Sequence, residues 1–419
     1  MKRLIFFGIF LMFTLSINLF ADGIQPPGSG NSVNPYQVSI LDHLLWLSTN
    51  TSSWNKYFEQ TADIDANPTS GWNGGAGFSP IGNNTLKFTG TYDGQGHTID
   101  GLYIYAGEGD GIGFVGYTYG ASIENIGVMN IDFFGDYYVG GLVGRHSHNS
   151  SISNSFATGS LTGDDFVGGL AGTQYDSSIT GTSFASVAVT GWGDRIGGLI
   201  GNSDSSIIIN CYATGSVTGT SWHRIGGLIG WNNVSSTVTN CYSIGSVSPG
   251  GDWTGGLVGW NDGTVGNSFW DIYTSNRTTS NGGTGKTTIQ MKNVRTFTDV
   301  GWSAGLNSPW DFVTNPYDDV SSDDIWNMDG FRFNNGYPFL SWQLSEEPPD
   351  APTIIVITIT EDNVELDWNS VPGATSYKVY SDSDPYGGFG TTEWTGAVSE
   401  WSETIPGDMK YYRVTALND

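Results

Sequence analysis

Cysteine is almost missing from this chain, with two in 419 residues. One pair cannot form the disulfide framework that staples many small exported domains, so the fold must rest on its own core. Cations are scarce as well: 15 Lys and Arg stand against 41 Asp and Glu, for a net charge of −26. Such a surface repels a phosphate backbone, which excludes nucleic acid as a partner. Histidine occurs five times and never as His-Glu-x-x-His, so that route to a zinc peptidase is closed. Long apolar runs are confined to residues 4–20, preceded by Lys2 and Arg3 and followed by Ala21. This pattern predicts a secretory signal peptide over residues 1–21, with no membrane span after cleavage and a secreted or cell-surface location.

Glycine and aromatic residues are abundant: 61 Gly, 16 Trp, 20 Tyr and 21 Phe. Glycines that turn corners and bulky residues that fill an interior suit a turn-rich all-β fold. The arrangement is repetitive. Gly-Leu-x-Gly begins at Gly141, Gly169, Gly198, Gly227 and Gly256, and the variant Gly113-Phe-Val-Gly116 precedes them. The steps between these glycines are 28 or 29 residues. A second block keeps the same register: Asn154-Ser-Phe-Ala, Thr182-Ser-Phe-Ala, Asn210-Cys-Tyr-Ala, Asn240-Cys-Tyr-Ser and Asn267-Ser-Phe-Trp. Within the blocks apolar residues alternate and β-branched residues recur, which is strand periodicity.

Short strands at a fixed period, separated by glycine corners, predict a right-handed β-helix, a solenoid in which each coil buries its inner side chains against its neighbours. The glycine before each Leu provides either positive φ or close backbone approach, and the Leu points inward. Asn154, Asn210, Asn240 and Asn267 form a structural column that Thr182 interrupts, an expected ladder of side-chain amides. Cys211 and Cys241 fall at equivalent positions of adjacent coils. Their column otherwise holds Ser155, Ser183 and Ser268, which argues for a small buried residue first and a crosslink second.

Gly-Leu-x-Gly followed by Asn-Cys-Tyr-Ala-Thr-Gly-Ser-Val resembles the GLUG repeats of bacterial adhesin-like surface proteins, also found beside IgA-cleaving metallopeptidases. The likeness covers residues 88–342. It implies a cell-surface role and no particular reaction. Residues 22–87 are expected to form a linker and N-terminal cap, with a covering helix near residues 39–47. The repeats occupy 88–275, and 276–345 close the other end with Trp302, Trp310, Trp326 and Trp342 as anchors. After a Pro-rich linker at 346–352, the order Trp368, Pro372-Gly-Ala374, Tyr377-Lys-Val-Tyr380 and Tyr411-Tyr-Arg-Val414 resembles a fibronectin type III domain, a small β-sandwich over 353–419.

Several motifs suggest chemistry and fall short of it. Gly282-Gly-Thr-Gly-Lys286-Thr lacks the first glycine of a phosphate loop, since Ser280 stands there. Gly301-Trp-Ser303-Ala-Gly305 matches a nucleophile elbow, but no His follows it. His146 and His148 read as an exposed loop pair. Asp318, Asp319, Asp323 and Asp324 crowd enough oxygen to admit calcium, without a calcium-loop pattern; no other cofactor is expected.

The expected ligand-binding edge is the corner carrying Trp192, Trp222 and Trp253 with Asp164, Asp194 and Asp252. Aromatic faces there would stack on sugars, and the partner would be an extracellular glycan, matrix or cell-surface protein. The alternative is a polysaccharide lyase or glycosidase on the same edge. It would use two carboxylates among Asp164, Asp165, Asp194 and Asp252, with Arg195 and Arg224 to stabilise an enolate. A second alternative is a structural envelope scaffold.

Overall fold

The computed structural model describes residues 23–219, 223–248, 253–313, 324–328, 334–343, 354–359, 363–368, 376–382, 391–398, 400–404 and 411–417. The expected signal segment at 1–21 and the expected linker at 346–352 lie outside them. The chain divides into two compact units, Met1–Pro338 and Phe339–Asp419.

The first unit is a β-solenoid. One coil consists of Tyr137–Gly140, Val143–His146, Ser151–Ser153 and Phe156–Gly163. Each of these strands pairs in parallel with its counterpart one repeat later: Val139 with Val167, Val143 with Ala171, Ile152 with Thr180, and Phe156 with Phe184. This coil therefore has four strand segments, with the glycine corner lying between the first two. The sheet running from Val115–Tyr117 to Val258–Asn261 has six strands in coil order.

Parallel pairing extends beyond the repeat at both ends. Tyr36–Val38 pairs with Tyr57–Gln60, which in turn pairs with Thr91–Asp93. Thr284–Lys286 adds a rung after Phe269–Asp271. The helix expected near residues 39–47 forms over Leu41–Thr49 and buries Leu44 and Leu47. At the other end Trp310 and Trp326 are fully buried, whereas Trp302 is exposed, with Arg295 over its ring. Trp302 is thus a surface residue and not an anchor.

The interior is built from columns of like residues. Phe114, Leu142, Leu170, Leu199, Leu228 and Leu257 are fully buried, as are Ala157, Ala185 and Ala213 on another wall. Alternation sends the residue before each of these alanines outward. Phe156, Phe184, Tyr212 and Tyr242 stack coil on coil, with centroids 4.9, 4.8 and 5.0 Å apart and rings within 6° of parallel. Trp310 and Trp326 of the end cap cover the Tyr242 end of that stack.

The repeat glycines act through close approach and not through φ. None of the six column glycines has positive φ. A Cβ on Gly141 would sit 2.5 Å from the Gly169 carbonyl oxygen, and a Cβ on Gly169 2.2 Å from that of Gly198. At this corner Leu142 N–H donates to the Leu170 carbonyl at 2.9 Å and Leu170 N–H to that of Leu199 at 2.9 Å. Coil backbones meet directly, and a methyl group has no room between them.

Positive φ belongs instead to the asparagine column: Asn154 (47°), Asn210 (54°), Asn240 (52°) and Asn267 (46°), with Thr182 at 43°. Asparagine tolerates the left-handed region better than most residues. The expected side-chain ladder forms only across Asn125, Asn154 and Thr182: Asn210 and Asn240 Oδ1 accept no hydrogen bond among the described residues, and Asn267 Nδ2 donates to Ser308 Oγ at 2.8 Å. Asn154 Nδ2 donates to Asn125 Oδ1 at 3.2 Å and Thr182 Oγ1 donates to Asn154 Oδ1 at 2.7 Å. Thr182 continues the ladder where the sequence suggested an interruption. Asn154→Ala loses both bonds and strains φ, so it is expected to cost about 1–2 kcal/mol in urea unfolding, and Asn154→Gly less.

The second unit contains two three-stranded antiparallel sheets. One joins Ile354–Ile359, Asn363–Trp368 and Glu400–Thr404; the other joins Thr391–Gly396, Ser376–Asp382 and Tyr411–Leu417. Leu366, Trp368, Tyr377, Val379 and Val414 form its core.

Candidate functional site

The expected edge lies where one coil's long strand turns into the next coil. Trp222 and Asp252 lie outside the described residues. The other four fall into two groups.

Trp192 is 52% exposed. Its ring meets Phe134 edge-on at 5.7 Å, and Phe134 stacks on Tyr105 at 4.8 Å and 17°. Tyr105, also 52% exposed, completes an aromatic platform that the sequence reading missed. Tyr105 and Phe134 are cross-strand partners, but their segments precede the first Gly-Leu-x-Gly at Gly141, so the recurring blocks did not mark them. Asp164 stands beside this platform. Its N–H donates to the Asp136 carbonyl at 2.8 Å, and Gly193 N–H donates to the Asp164 carbonyl at 3.0 Å. Burial first, then the like charges of Asp164, Asp110, Glu108 and Asp165, hold the Asp136 carboxyl above its ordinary range.

Asp194 belongs to a second group. Its Oδ2 is paired with Arg224 and lies 3.9 Å from Arg195, while Asp165 Oδ2 lies 3.3 Å from Arg195. The Asp194 carboxylate also accepts the N–H groups of Arg195 at 3.0 Å and Arg224 at 2.8 Å, and Asp165 Oδ1 accepts the Asp194 N–H. The charges alternate along the rod as Asp165, Arg195, Asp194 and Arg224. Burial pushes the Asp165 carboxyl up, against the opposing pull of the Asp194 N–H and Arg195. Aromatic rings flank the guanidinium groups. Arg195 lies 4.3 Å from the Phe166 ring centroid, and Arg224 lies 4.4 Å from Trp231 and 5.6 Å from Trp253. Trp253 is 39% exposed and meets Trp260 edge-on at 5.8 Å. Trp231 and Trp260 both donate their Nε1–H to Asp262 Oδ2 at 2.9 Å.

Chemically, both oxygens of Asp165 and of Asp194 already accept hydrogen bonds, and both arginines are already paired. A glycosidase needs one carboxyl free to give a proton and another free to attack or to activate water. Concavities of about 520 and 510 Å³ lie elsewhere, one against Trp54, Leu86 and Tyr119 and one between Arg295, Asp299 and Val300. Neither is lined by two carboxylates.

The remaining motifs resolve into structure. His146 is fully buried inside the coil and not on an exposed loop. Its Nδ1 lies 3.2 Å from Thr118 Oγ1, and Nε2 has no hydrogen-bond partner among the described residues. The reason is strand alternation: Arg145 faces outward, which turns His146 inward. His148 sits at φ 58° and stacks on Tyr119 at 4.3 Å, so the two imidazoles do not converge on a metal. Lys286 and Ser303, taken from the two incomplete motifs, bond to each other. Buried Lys286 Nζ donates to Ser303 Oγ at 3.0 Å and to the Ala304 carbonyl at 2.8 Å. Thr287 then caps a short helix with Gln290 in a capping box. Cys211 and Cys241 are free, buried thiols. Burial, followed by its neighbour Cys211, raises the Cys241 thiol well above its usual range.

Of the acidic run expected to admit calcium, Asp318, Asp319 and Asp323 lie outside the described residues. In the second unit Glu365, Asp367 and Glu400 each bring one carboxylate oxygen within 4.8 Å of the others. Asp367 and Glu400 are cross-strand partners. Exposed acidic groups of this kind are common without an ion.

Comparison with known proteins recovers the repeat. The GLUG motif matches at residues 135–162 and 193–218. The chain is 38% identical over 141 residues to halomucin of Haloquadratum walsbyi, covering 32% of this chain and 2% of that protein. It is 30% identical over 135 residues to a putative Gly-rich membrane protein of Evansella cellulosilytica, covering 31% of this chain and 14% of that one. The match thus spans only a small part of either relative. Among solved structures, an IgA1 protease aligns with 56% of this chain and 16% of its own, at 16% identity and a TM-score of 0.35.

Proposed function

We propose that this protein acts outside the cell as a non-enzymatic binding rod, whose aromatic corner docks carbohydrate. The observation that carries this reading is the exposure of Tyr105, Trp192 and Trp253, large rings left at the surface of a solenoid whose interior has room for aromatics. Rings of this kind supply flat apolar faces at low entropy cost, with polar groups beside them to fix orientation. The saturated state of Asp165 and Asp194 supports binding without cleavage. The names of the relatives, a halomucin and a Gly-rich membrane protein, support a surface or secreted setting. The two three-stranded antiparallel sheets of the second unit, with one shared core, support reading it as a fibronectin type III-like module.

A glycan array with the full chain tests the reading. Trp192→Ala and Trp253→Ala are each expected to weaken binding to a captured glycan by about 1–2 kcal/mol, roughly five- to thirtyfold. Binding that survives both substitutions would move the site off this corner. New reducing ends appearing on a bound glycan would overturn the non-enzymatic part.

A further inference from the structure

The platform of Tyr105, Phe134 and Trp192 differs from the Trp253 group in its charge. Beside Trp253, Arg224 is paired with Asp194. Beside Trp192, Asp165 is paired with Arg195, while Glu108, Asp110, Asp136 and Asp164 carry no such cation among the described residues. Asp136 N–H donates to the Gly109 carbonyl at 3.0 Å, Asp164 N–H to the Asp136 carbonyl at 2.8 Å, and Trp192 N–H to the Gly163 carbonyl at 3.1 Å. These bonds stack the turn carrying Glu108 and Asp110 on Asp136, then Asp164, then Trp192, along one corner. Among the described residues no Lys or Arg forms an ion pair with any of these four carboxylates. Glu108 and Asp110 are exposed, and Asp136 and Asp164 are half-buried.

We infer that this corner takes an amine-bearing carbohydrate, an oligomer of glucosamine-type units, in preference to neutral or anionic glycans. The inference rests on the carbohydrate-binding reading above and adds the charge of the ligand. Two forces select the same group. The negative face of an aromatic ring attracts a cation, most strongly at Trp, and a carboxylate accepts from an ammonium in a short charge-assisted bond. A sugar ring carrying an ammonium offers an apolar face to the platform and a charge to the rim. A uronate or sulfated sugar meets four like charges. Because the carboxylates recur in successive coils, a polymer with a charge on each unit can gain at several rungs at once.

The test is calorimetric titration of the full chain with a glucosamine tetrasaccharide, its N-acetylated counterpart, a galacturonate tetrasaccharide and tetralysine. The amine sugar is expected to bind at least about tenfold tighter than the acetylated one at low salt, with the gap closing as salt screens the rim. Asp136→Asn with Asp164→Asn, checked for folding by circular dichroism, is expected to erase the preference and leave the residual binding. Trp192→Ala is expected to weaken both sugars. Equal or tighter binding of the acetylated or uronate sugar, or a preference that survives the double substitution, overturns the inference and leaves the carbohydrate reading standing. Tetralysine binding without any sugar, or no binding at all, overturns both.

Discussion

Gly169→Ala is expected to lower the stability of the solenoid unit by about 3 kcal/mol or more. The new methyl would sit 2.2 Å from the Gly198 carbonyl oxygen and 2.9 Å from Ala185 Cβ. Neither neighbour is the end of a flexible side chain. Relief requires one coil backbone to move from the next, which stretches the bonds that Gly169 and Leu170 donate to Gly197 and Leu199 at 3.3 and 2.9 Å. Solenoid stability is close to a sum of nearest-neighbour terms, so a weak interface between two coils also breaks cooperativity. Urea unfolding followed by circular dichroism should therefore show an earlier and broader transition. Gly266→Ala is the control. Nothing lies within 4 Å of its added Cβ and its φ is not positive, so its midpoint should move by less than about 0.5 kcal/mol. Equal behaviour of the two variants would show that backbone contact is not why the repeat keeps glycine.

His146 is expected to make the same unit sensitive to acid. Burial lowers its pKa to about 4, and the backbone at Ile179 and Ser150 favours the charged form by less. An unfolded histidine titrates near 6.5. With the folded pKa depressed, the stabilising share of the neutral ring is complete above 6.5. It is lost as pH falls toward 4, because the unfolded chain takes up the proton first. The full span is about 3 kcal/mol. Acidic residues titrate in the lower part of the same window, so the informative quantity is the difference between the parent and His146→Gln, measured by urea unfolding at pH 7.5 and 4.5. The parent should lose about 2 kcal/mol more than the variant between the two values. Parallel losses would mean that the imidazole is reachable by water in the folded protein.

Much of the architecture was legible in the residues. The 28–29-residue step marked the coil, because a parallel solenoid stacks equivalent positions and each column must repeat the kind of residue its place requires. Leu142 through Leu257 point inward as their recurrence implied, and the helix over Leu41–Thr49 formed where its apolar spacing placed it. The site was less legible. Trp192 and Asp164 do share a corner, but the Tyr105 and Phe134 half of the platform comes from coils ahead of the first Gly-Leu-x-Gly. Of the carboxylates offered for catalysis, Asp165 and Asp194 are held by Arg195 and Arg224, residues 30 positions away from them.

By itself the sequence determined the period of the coil, the inward columns and the excess of negative charge, because each is a local property or one repeated at fixed spacing. Only the tertiary structure decided which polar side chains turn inward, as His146 does and Trp302 does not. It alone decided that the glycine column serves contact and not φ, and which carboxylates acquire a cation. Those outcomes depend on register and on the reach of side chains between coils. The local pattern, which is nearly the same in every repeat, does not distinguish a paired Asp194 from an unpaired Asp164.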